Sequence, residues 1–186
     1  MTRPDPDTLL DAAAFRRFVN TVGVVAVVHQ GHVLAMTAEW CTPVSIEPHL
    51  VGVYVGTARF TETGMEEARM FGLSLLSDEQ ADLSHVLGSV SGWDVDKESL
   101  WDERRVMGTR LPVPLVKGAS AHYECDVVTS HRVGDHVLWV GRPVAARLAG
   151  PDAPLLYHGG RYFRLGAQVP KPDEMMKQGR EDPPTR

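Results

Sequence analysis

Apolar runs of strand length dominate this chain, and short polar or glycine-containing segments separate them. The run over residues 22–28 is continuous and rich in valine, which is typical of a buried strand. A turn over residues 29–32 then predicts a hairpin with the next apolar run, residues 33–36. The same reasoning predicts further strands over residues 50–55, 70–76, 119–130, 136–148, 155–158 and 161–165. Paired glycines between the last two predict a closing hairpin.

Helical spacing is confined to a few segments. Asp7 or Thr8 caps a predicted helix that runs to about Val19, with apolar residues recurring at helical spacing. A second helix is predicted within residues 57–69, and a third follows the capping sequence at residues 77–80. Because helices do not alternate with the strands, the pattern favours a closed antiparallel barrel over a doubly wound parallel sheet.

The chain divides into three parts by composition. Residues 1–8 are a polar, proline-broken leader, and residues 9–166 hold the predicted strands and helices as one domain. Residues 88–114 are polar and marked by glycine and proline, and we interpret them as a long ordered excursion with one helical turn. Residues 167–186 carry four prolines and eight charged residues, and so few apolar side chains that they are predicted to be an arm or a disordered tail.

Composition excludes several classes of protein. A formal net charge of −5 argues against a general nucleic-acid binder, which needs a basic face to displace phosphate counterions. No apolar run approaches the roughly 20 residues of a membrane span. The two cysteines, Cys41 and Cys125, form neither a disulfide framework nor a metal motif, which predicts a reducing, cytoplasmic setting and no metal. Cys41 is interpreted as a buried apolar residue rather than a redox thiol.

Four segments stand out chemically. The first, residues 35–51, is a turn of small and hydroxyl-bearing residues between two apolar strands, and it ends at a Glu-Pro corner. The second, residues 53–61, runs from a strand into a hydroxyl-rich helix start. The third, residues 134–141, reads Gly-Asp-His and ends in glycine, and the fourth, residues 154–162, is the closing hairpin. In this order and spacing the four segments closely resemble the flavin reductase-like family.

The resemblance covers roughly residues 12–166 and implies a mainly β fold, an FMN-binding split β-barrel of Greek-key antiparallel type with a few peripheral helices. It implies that Thr37 and Ala38 face the isoalloxazine ring, whose polar atoms would be satisfied by main-chain groups. Glu39 and Trp40 depart from the small polar residue and phenylalanine that are usual there. Glu39 would oppose an anionic reduced flavin or else point away, with Trp40 shaping the pocket.

The start of the second helix suits a phosphate. A helix N-terminus presents unpaired N–H groups, Thr57 and Thr61 add hydroxyls, and Arg59 adds a charged fork. The structural alternative is a plain threonine cap with a surface arginine.

Three further residues complete the expected site. The family has a histidine at the place of His136, which predicts a polar group near the nicotinamide or the flavin edge; a purely structural role is the alternative. Residues 91–97 resemble a loop of the flavoredoxin-like branch, so Trp93 is expected to cover the flavin. Tyr162 is expected at the mouth of the site, although tyrosine alternation in a hairpin also suits barrel packing.

The function implied is transfer of electrons from NAD(P)H through FMN to an acceptor, either free flavin or a partner monooxygenase. The absence of a paired-carboxylate or Ser-His-Asp arrangement fits chemistry carried by a cofactor, and no strand is followed by a Rossmann glycine fingerprint. Family members are usually homodimers, which is the expected assembly. Two alternatives stay open: a flavoredoxin-like electron carrier or ferric reductase, and a non-catalytic binding module.

Overall fold

The computed structural model describes residues 11–57, 59–90, 97–151 and 153–169. The strands are β1 (Val19–Thr21), β2 (Gly23–His29), β3 (His32–Ala38), β4 (Cys41–Ser45), β5 (Leu50–Gly56), β6 (Met70–Leu75), β7 (Arg105–Met107), β8 (Pro114–Val116), β9 (Ala121–Val133), β10 (His136–Leu148), β11 (Leu155–His158) and β12 (Arg161–Arg164). The helices are α1 (Ala12–Phe15), α2 (Phe60–Ala68) and α3 (Ala81–Ser89), with two 3₁₀ turns at Glu98–Leu100 and Asp102–Arg104.

A seven-stranded sheet organises the molecule, in the order β3-β2-β6-β9-β10-β5-β4. Every neighbouring pair in it is antiparallel. The strands β3 and β4 lie at its two ends, yet only two residues, Glu39 and Trp40, connect them along the chain. The fold is therefore mainly β and antiparallel, as the sequence pattern predicted.

The strand β2 is apolar from Val24 to Val28 because both faces of this part are buried or partly buried. Val25 and Val27 point into one cluster with Phe71 and Trp139. The alternate residues point into a second cluster that includes Leu83 and Leu87 of α3. Side chains alternate across a strand, so a strand between two cores needs an unbroken apolar run.

Two smaller sheets accompany the large one, and one of them joins distant parts of the chain. The strands β7 and β8 pair with each other. The strand β1 pairs with β11, which in turn pairs with β12, so the start of the described chain is hydrogen-bonded to its end. In this pairing Val19 lies opposite His158 and Thr21 opposite Leu156.

Glycine turns explain the predicted hairpins. Gln30 and Gly31 between β2 and β3, and Gly159 and Gly160 between β11 and β12, all have positive φ angles of 50° to 85°. Two-residue hairpin turns of this kind require positive φ at both positions. Both hairpin predictions are confirmed.

A buried carboxylate anchors the loop between β7 and β8. Glu124 of β9 is fully buried, and its oxygens accept hydrogen bonds from the main-chain N–H groups of Thr109, Arg110 and Leu111 at 2.7 to 2.9 Å. Arg147 of β10 donates a further hydrogen bond at 2.8 Å. Despite its burial, these donors lower the pKa of Glu124 to about 2.

The structure corrects two element predictions. Within the described residues the first helix covers only Ala12–Phe15, and Val19 begins a strand because β11 offers it a hydrogen-bonding partner. The predictions also missed the short strands β1, β4, β7 and β8, which have three to five residues and too few side chains to show a period.

Some predicted segments lie largely outside the described residues. These are the leader over residues 1–8 and all but residues 167–169 of the tail. Among the residues that the structure describes, no helix is long and apolar enough to cross a bilayer.

Candidate functional site

A cleft of about 440 Å³ opens between the end of β3, the face of α3 and the closing hairpin. It is lined by Met36, Thr37, Ala38, Glu39, Trp40, Tyr54, Gly56, Arg59, Ser84, His85, Gly88, Ser89, His136, Tyr157 and Tyr162. Clefts of this volume are typical of sites for small molecules and cofactors. The four sequence segments singled out above all contribute to this lining.

The free edge of β3 gives the cleft main-chain hydrogen-bonding groups. The strand pairs only with β2 in its sheet, and the N–H of Val33 points outward to the Glu98 carboxylate at 3.3 Å. Main-chain groups alternate along an antiparallel strand, so the N–H and C=O of Thr37 point to the same outer side. Main-chain atoms of Thr37 therefore border the cleft, and the expectation that Thr37 and Ala38 hold a flavin ring stays a prediction.

Aromatic rings form one wall of the cleft. Trp40 and His136 lie with ring centroids 4.7 Å apart and planes inclined by 36°, and Tyr54 meets Trp40 edge-on at 6.1 Å. The main-chain carbonyl of Trp40 accepts a hydrogen bond from the N–H of Tyr54, which fixes the tryptophan against β5. Trp40 is still 50% exposed, so its ring has a face free for a ligand.

The orientation of His136 is set by its neighbour. Its Nδ1 lies 2.8 Å from the Asp135 carboxylate, and the imidazole lowers the pKa of that carboxyl. The pair leaves Nε2 of His136 as the nitrogen that faces Gly56, across the β5–β10 pairing, inside the cleft. One nitrogen is held and the other is available to a ligand.

Arg59 and His136 mark one end of the cleft, with Gly56 between them. A Cβ placed on Gly56 would lie 3.6 Å from Cγ of Arg59 and 3.9 Å from Nε2 of His136. Lys97, only 7% exposed, donates a hydrogen bond to the carbonyl of Leu87 at 2.8 Å. Burial, together with the nearby Arg59 cation, lowers the pKa of Lys97 to about 8. Arg59 therefore gives this part of the lining a positive charge, and Lys97 lies buried close to it.

The two threonines expected beside Arg59 do not line the cleft. Thr57 donates its hydroxyl to the carbonyl of Asp135 at 3.3 Å, and Thr61 is 4% exposed inside the first turn of α2. Arg59 itself is the N-cap of α2 and makes no side-chain capping hydrogen bond. The structure thus brings the arginine to the cleft, whereas Thr57 has another hydrogen-bond partner and Thr61 is buried.

An acidic group lies elsewhere in the cleft. Glu39 is partly buried, and loss of solvent raises the pKa of its carboxyl. The carboxylate also raises the pKa of Tyr157, after the larger effect of that tyrosine's own burial. Among the described residues Glu39 forms no ion pair with Arg59 or with another cation.

The α3 side of the cleft is held by a short chain of hydroxyl groups. Thr37 donates its hydroxyl to the carbonyl of Ser84 at 2.7 Å, and the buried hydroxyl of Ser84 lies 3.0 Å from that of Tyr162. Tyr162 also meets Tyr157 edge-on, with centroids 5.3 Å apart. Tyr162 is therefore fixed at the cleft, where the sequence predicted it.

Sequence reasoning missed the α3 residues of the lining. Ser84, His85, Gly88 and Ser89 recur at positions i, i+1, i+4 and i+5 of the helix. This spacing places two serines, a glycine and a histidine on one face of the helix, and that pattern is the sequence signal that could have identified them. Trp93, the expected cover of the cleft, lies outside the described residues.

Cys41 follows Trp40 and is not poised for redox chemistry. Its thiol packs against the core and lies 3.5 Å from the carbonyl of Thr21, and burial raises its pKa to about 12. The thiolate is the reactive form of cysteine, so this environment suppresses reactivity. Over residues 11–57, 59–90, 97–151 and 153–169, no group of three or more His, Cys, Asp or Glu could hold a metal ion.

Comparisons with known proteins agree with this geometry. Residues 15–166 match the family model described as the flavin reductase like domain. An NADH-dependent flavin reductase of a Rhodococcus species is 33% identical over 156 residues, which make up 82% of this chain and 83% of that protein.

Solved structures are similar over most of the chain. The FMN-binding protein of Thermus thermophilus with bound 1-cyclohex-2-enone is 32% identical, with a TM-score of 0.76 over 92% of this chain and 97% of that one. BorF, the flavin reductase component of a bacterial two-component tryptophan halogenase, is 29% identical, with a TM-score of 0.76 over 88% of this chain and 100% of that one.

Proposed function

Because this chain belongs to the flavin reductase-like family, we propose that it is an NADH-dependent reductase that binds FMN in the cleft beside β3. When bound, the flavin supplies the redox chemistry, and the protein supplies binding, orientation and electrostatics. The reduced flavin, or its electrons, then passes to an acceptor such as a partner monooxygenase. BorF, the flavin reductase component of a two-component tryptophan halogenase, is a precedent for a reductase that serves a partner enzyme.

The observation that carries the proposal is that different parts of the cleft offer different chemical groups to a ligand. Outward main-chain groups of Thr37 offer donors and acceptors to a flat heterocycle, Trp40 offers an aromatic face, and Arg59 offers a cation to a phosphate. FMN carries a flat heterocycle and a phosphate at its two ends. The cleft thus fits a phosphorylated planar ligand better than a purely apolar one.

His136 is proposed to orient the nicotinamide. Asp135 holds Nδ1, so Nε2 can exchange a hydrogen bond with a carboxamide at the cleft mouth. Replacement by asparagine should lower kcat/KM for NADH about tenfold and change FMN affinity less than threefold, since one neutral hydrogen bond contributes about 1 kcal/mol. An equal loss in FMN affinity would instead place His136 against the flavin.

The first experiment is titration of the purified protein with FMN, followed by anaerobic mixing of the complex with NADH. Quenching of flavin fluorescence and rapid bleaching of the flavin absorbance are expected. Slow or absent bleaching of a tight complex would favour the flavoredoxin-like electron carrier. A protein that neither quenches nor retains FMN would be a non-catalytic member of the family and would contradict the proposal.

The second experiment tests the phosphate end. We expect Arg59→Ala to weaken FMN binding by about 10- to 100-fold, because a charge-assisted hydrogen bond contributes about 1.5 to 3 kcal/mol. Riboflavin, which has the same ring and no phosphate, should bind both proteins equally. Arg17→Ala, at an exposed arginine outside the cleft, is the matched control. An unchanged FMN affinity would remove Arg59 from the phosphate site.

We extend the proposal to the closure of the sheet. A flat seven-stranded sheet would be roughly 29 Å wide. The ends of β3 and β4 are joined by Glu39 and Trp40, which span at most roughly 11 Å. A sheet that curls toward the split barrel satisfies both limits, and it brings both edges to the cleft.

We also propose a cytoplasmic homodimer. Its support is the cysteine chemistry together with apolar side chains exposed beside the three-stranded sheet, Phe15, Phe18, Val19 and Phe163, which are 45 to 67% exposed in the single chain. Light scattering after gel filtration should give twice the mass of the chain, and a monomer at micromolar concentration would contradict the assembly.

A further inference from the structure

Glu39 is the charged residue of the cleft that the proposed function does not use. It lies in the two-residue connection between the ends of the large sheet, on the cleft lining, next to Trp40. Within the described residues its carboxylate accepts no hydrogen bond and forms no ion pair, and it is partly withdrawn from water. A carboxylate in this state is an uncompensated negative charge, which acts on whatever occupies the cleft.

The basic groups are placed to act on a different part of a ligand. Arg59 lies beside Gly56 and His136, and its cation is close enough to the buried Lys97 to lower the pKa of that amine further. Glu39 instead affects Tyr157 on the closing hairpin. If the phosphate of a ligand meets Arg59 and its ring lies against the outward main-chain groups of Thr37, that ring is next to Glu39, which follows Thr37 by two residues on the cleft lining.

The reaction changes the charge of that ring system. NADH transfers a hydride, which carries one proton and two electrons, to a neutral oxidised flavin. The nicotinamide ring gains one positive charge, and the flavin ring gains one negative charge unless a further proton binds it. An adjacent carboxylate thus repels the reduced flavin and leaves the oxidised flavin almost unaffected.

We propose that Glu39 is a specificity-determining residue for the flavin redox state, which weakens binding of the reduced flavin relative to the oxidised flavin and so favours its release to an acceptor. The inference rests on the proposed function, because it requires a flavin in the cleft. It assigns to this chain a diffusible reduced flavin as product rather than a permanently held redox group. A ligand can shift an equilibrium only through its different affinities for two states, and Glu39 supplies that difference.

The structure provides an internal comparison for this role. Glu124 is a carboxylate with four main-chain and side-chain partners that fix a loop, whereas Glu39 fixes nothing within the described residues. Glu39→Gln keeps the shape of the side chain and removes the charge, so it should fold normally. Glu39→Asp keeps the charge and serves as the conservative variant.

The test measures two quantities that do not depend on turnover. The first is the dissociation constant of oxidised FMN, from fluorescence quenching. The second is the midpoint potential of protein-bound FMN, from anaerobic equilibration with a reference dye, which gives the ratio of affinities for reduced and oxidised flavin. The matched control is Glu79→Gln, which removes one exposed charge outside the cleft.

For Glu39→Gln we expect an affinity for oxidised FMN within twofold of the parent protein and an affinity for reduced FMN about tenfold higher. For a two-electron couple this raises the midpoint potential of bound flavin by about 30 mV. Glu39→Asp and Glu79→Gln should keep the parent potential to within a third of that shift.

Three results would overturn the inference, and they differ in what else they overturn. If the parent protein binds no FMN, the proposed function fails as well. If it binds and reduces FMN but Glu39→Gln keeps the parent potential, only the role of Glu39 fails. If Glu39→Gln leaves the midpoint potential of bound FMN at the parent value but weakens the binding of NAD⁺, the carboxylate faces the nicotinamide and its assignment to the flavin is wrong.

Discussion

Glu124 and Glu39 are the same amino acid in two environments that differ in their supply of hydrogen-bond donors. Glu124 receives three main-chain N–H groups and an arginine, and its pKa falls to about 2 although it is completely buried. Glu39 receives none of these within the described residues, and its pKa is raised although it is only partly buried. The number of hydrogen-bond donors around a carboxylate, rather than its degree of burial, decides whether the group stabilises the fold or remains an unpaired negative charge.

The largest effect expected from this comparison is the loss of the anchored carboxylate. Glu124→Gln should lower the free energy of unfolding by about 3 kcal/mol, because the loop N–H groups would face an amide with one acceptor atom and Arg147 would lose its counter-ion. Urea denaturation followed by circular dichroism measures the change. Glu79→Gln, at an exposed position, should change it by less than about 0.5 kcal/mol.

The second effect is the acid dependence that Glu124 imposes. Its folded-state pKa of about 2 lies below the ordinary value of 4.5, so the unfolded chain takes up the proton first as the pH falls. Its contribution is complete above about pH 5 and decreases toward pH 2, by about 3 kcal/mol in all. Urea midpoints across that range should show this slope in the parent protein and a shallower one in Glu124→Gln. Equal slopes would mean that other carboxyls dominate acid unfolding.

The third effect concerns the hydroxyl groups of Ser84 and Tyr162. Like Glu124 they have hydrogen-bond partners, and like Glu39 they border the cleft. Tyr162→Phe removes the hydrogen bond to the buried Ser84 and should cost about 1 kcal/mol of folding free energy. We expect FMN affinity to fall severalfold as the tyrosine loosens. Tyr54→Phe is the control, because Tyr54 lines the cleft and its hydroxyl has no hydrogen bond among the described residues. Equal losses in both variants would show that the Ser84 contact is not responsible.

The smallest effect is expected at Glu39 itself. Its raised pKa means that the folded protein holds this proton more readily than the unfolded chain, so the ionised carboxylate destabilises the fold above that pKa. Glu39→Gln should therefore be neutral or stabilising by at most about 0.5 kcal/mol at pH 7, and the gain should vanish in acid. A clear loss of stability in the unfolding curve would show that Glu39 has a structural role, and the comparison with Glu124 would then break down.

The sequence predicted the strands whose hydrophobic pattern is clear, and it predicted cleft residues that lie in segments resembling the flavin reductase-like family. The valine run of β2 was identifiable because two cores bury both of its faces, and the positive φ angles of Gly159 and Gly160 were implied by their pairing. Arg59 and His136 were placed at one cleft from segments far apart in the chain. These features depend on local pattern or on motif order.

Other features depend on contacts that no local pattern encodes. Glu124 looked like one polar residue of a strand, because its partners lie in a loop 13 to 15 residues earlier. Thr57 and Thr61 have the residue type of phosphate ligands, yet a carbonyl of the β9–β10 turn engages one and burial removes the other. The strand β1 forms only because β11, more than 130 residues later, offers an edge.

That pairing has a practical consequence for handling the protein. The hairpin that pairs with β1 carries Tyr157 and Tyr162, so shortening the chain as far as residue 22 would remove the strand that pairs beside these cleft-lining tyrosines. An affinity tag fused close to Val19 would crowd the same sheet. Expression vectors that leave this strand intact, with a spacer ahead of it, are the safer choice for cofactor measurements, and apparent weak binding by a trimmed version would reflect cloning rather than biology.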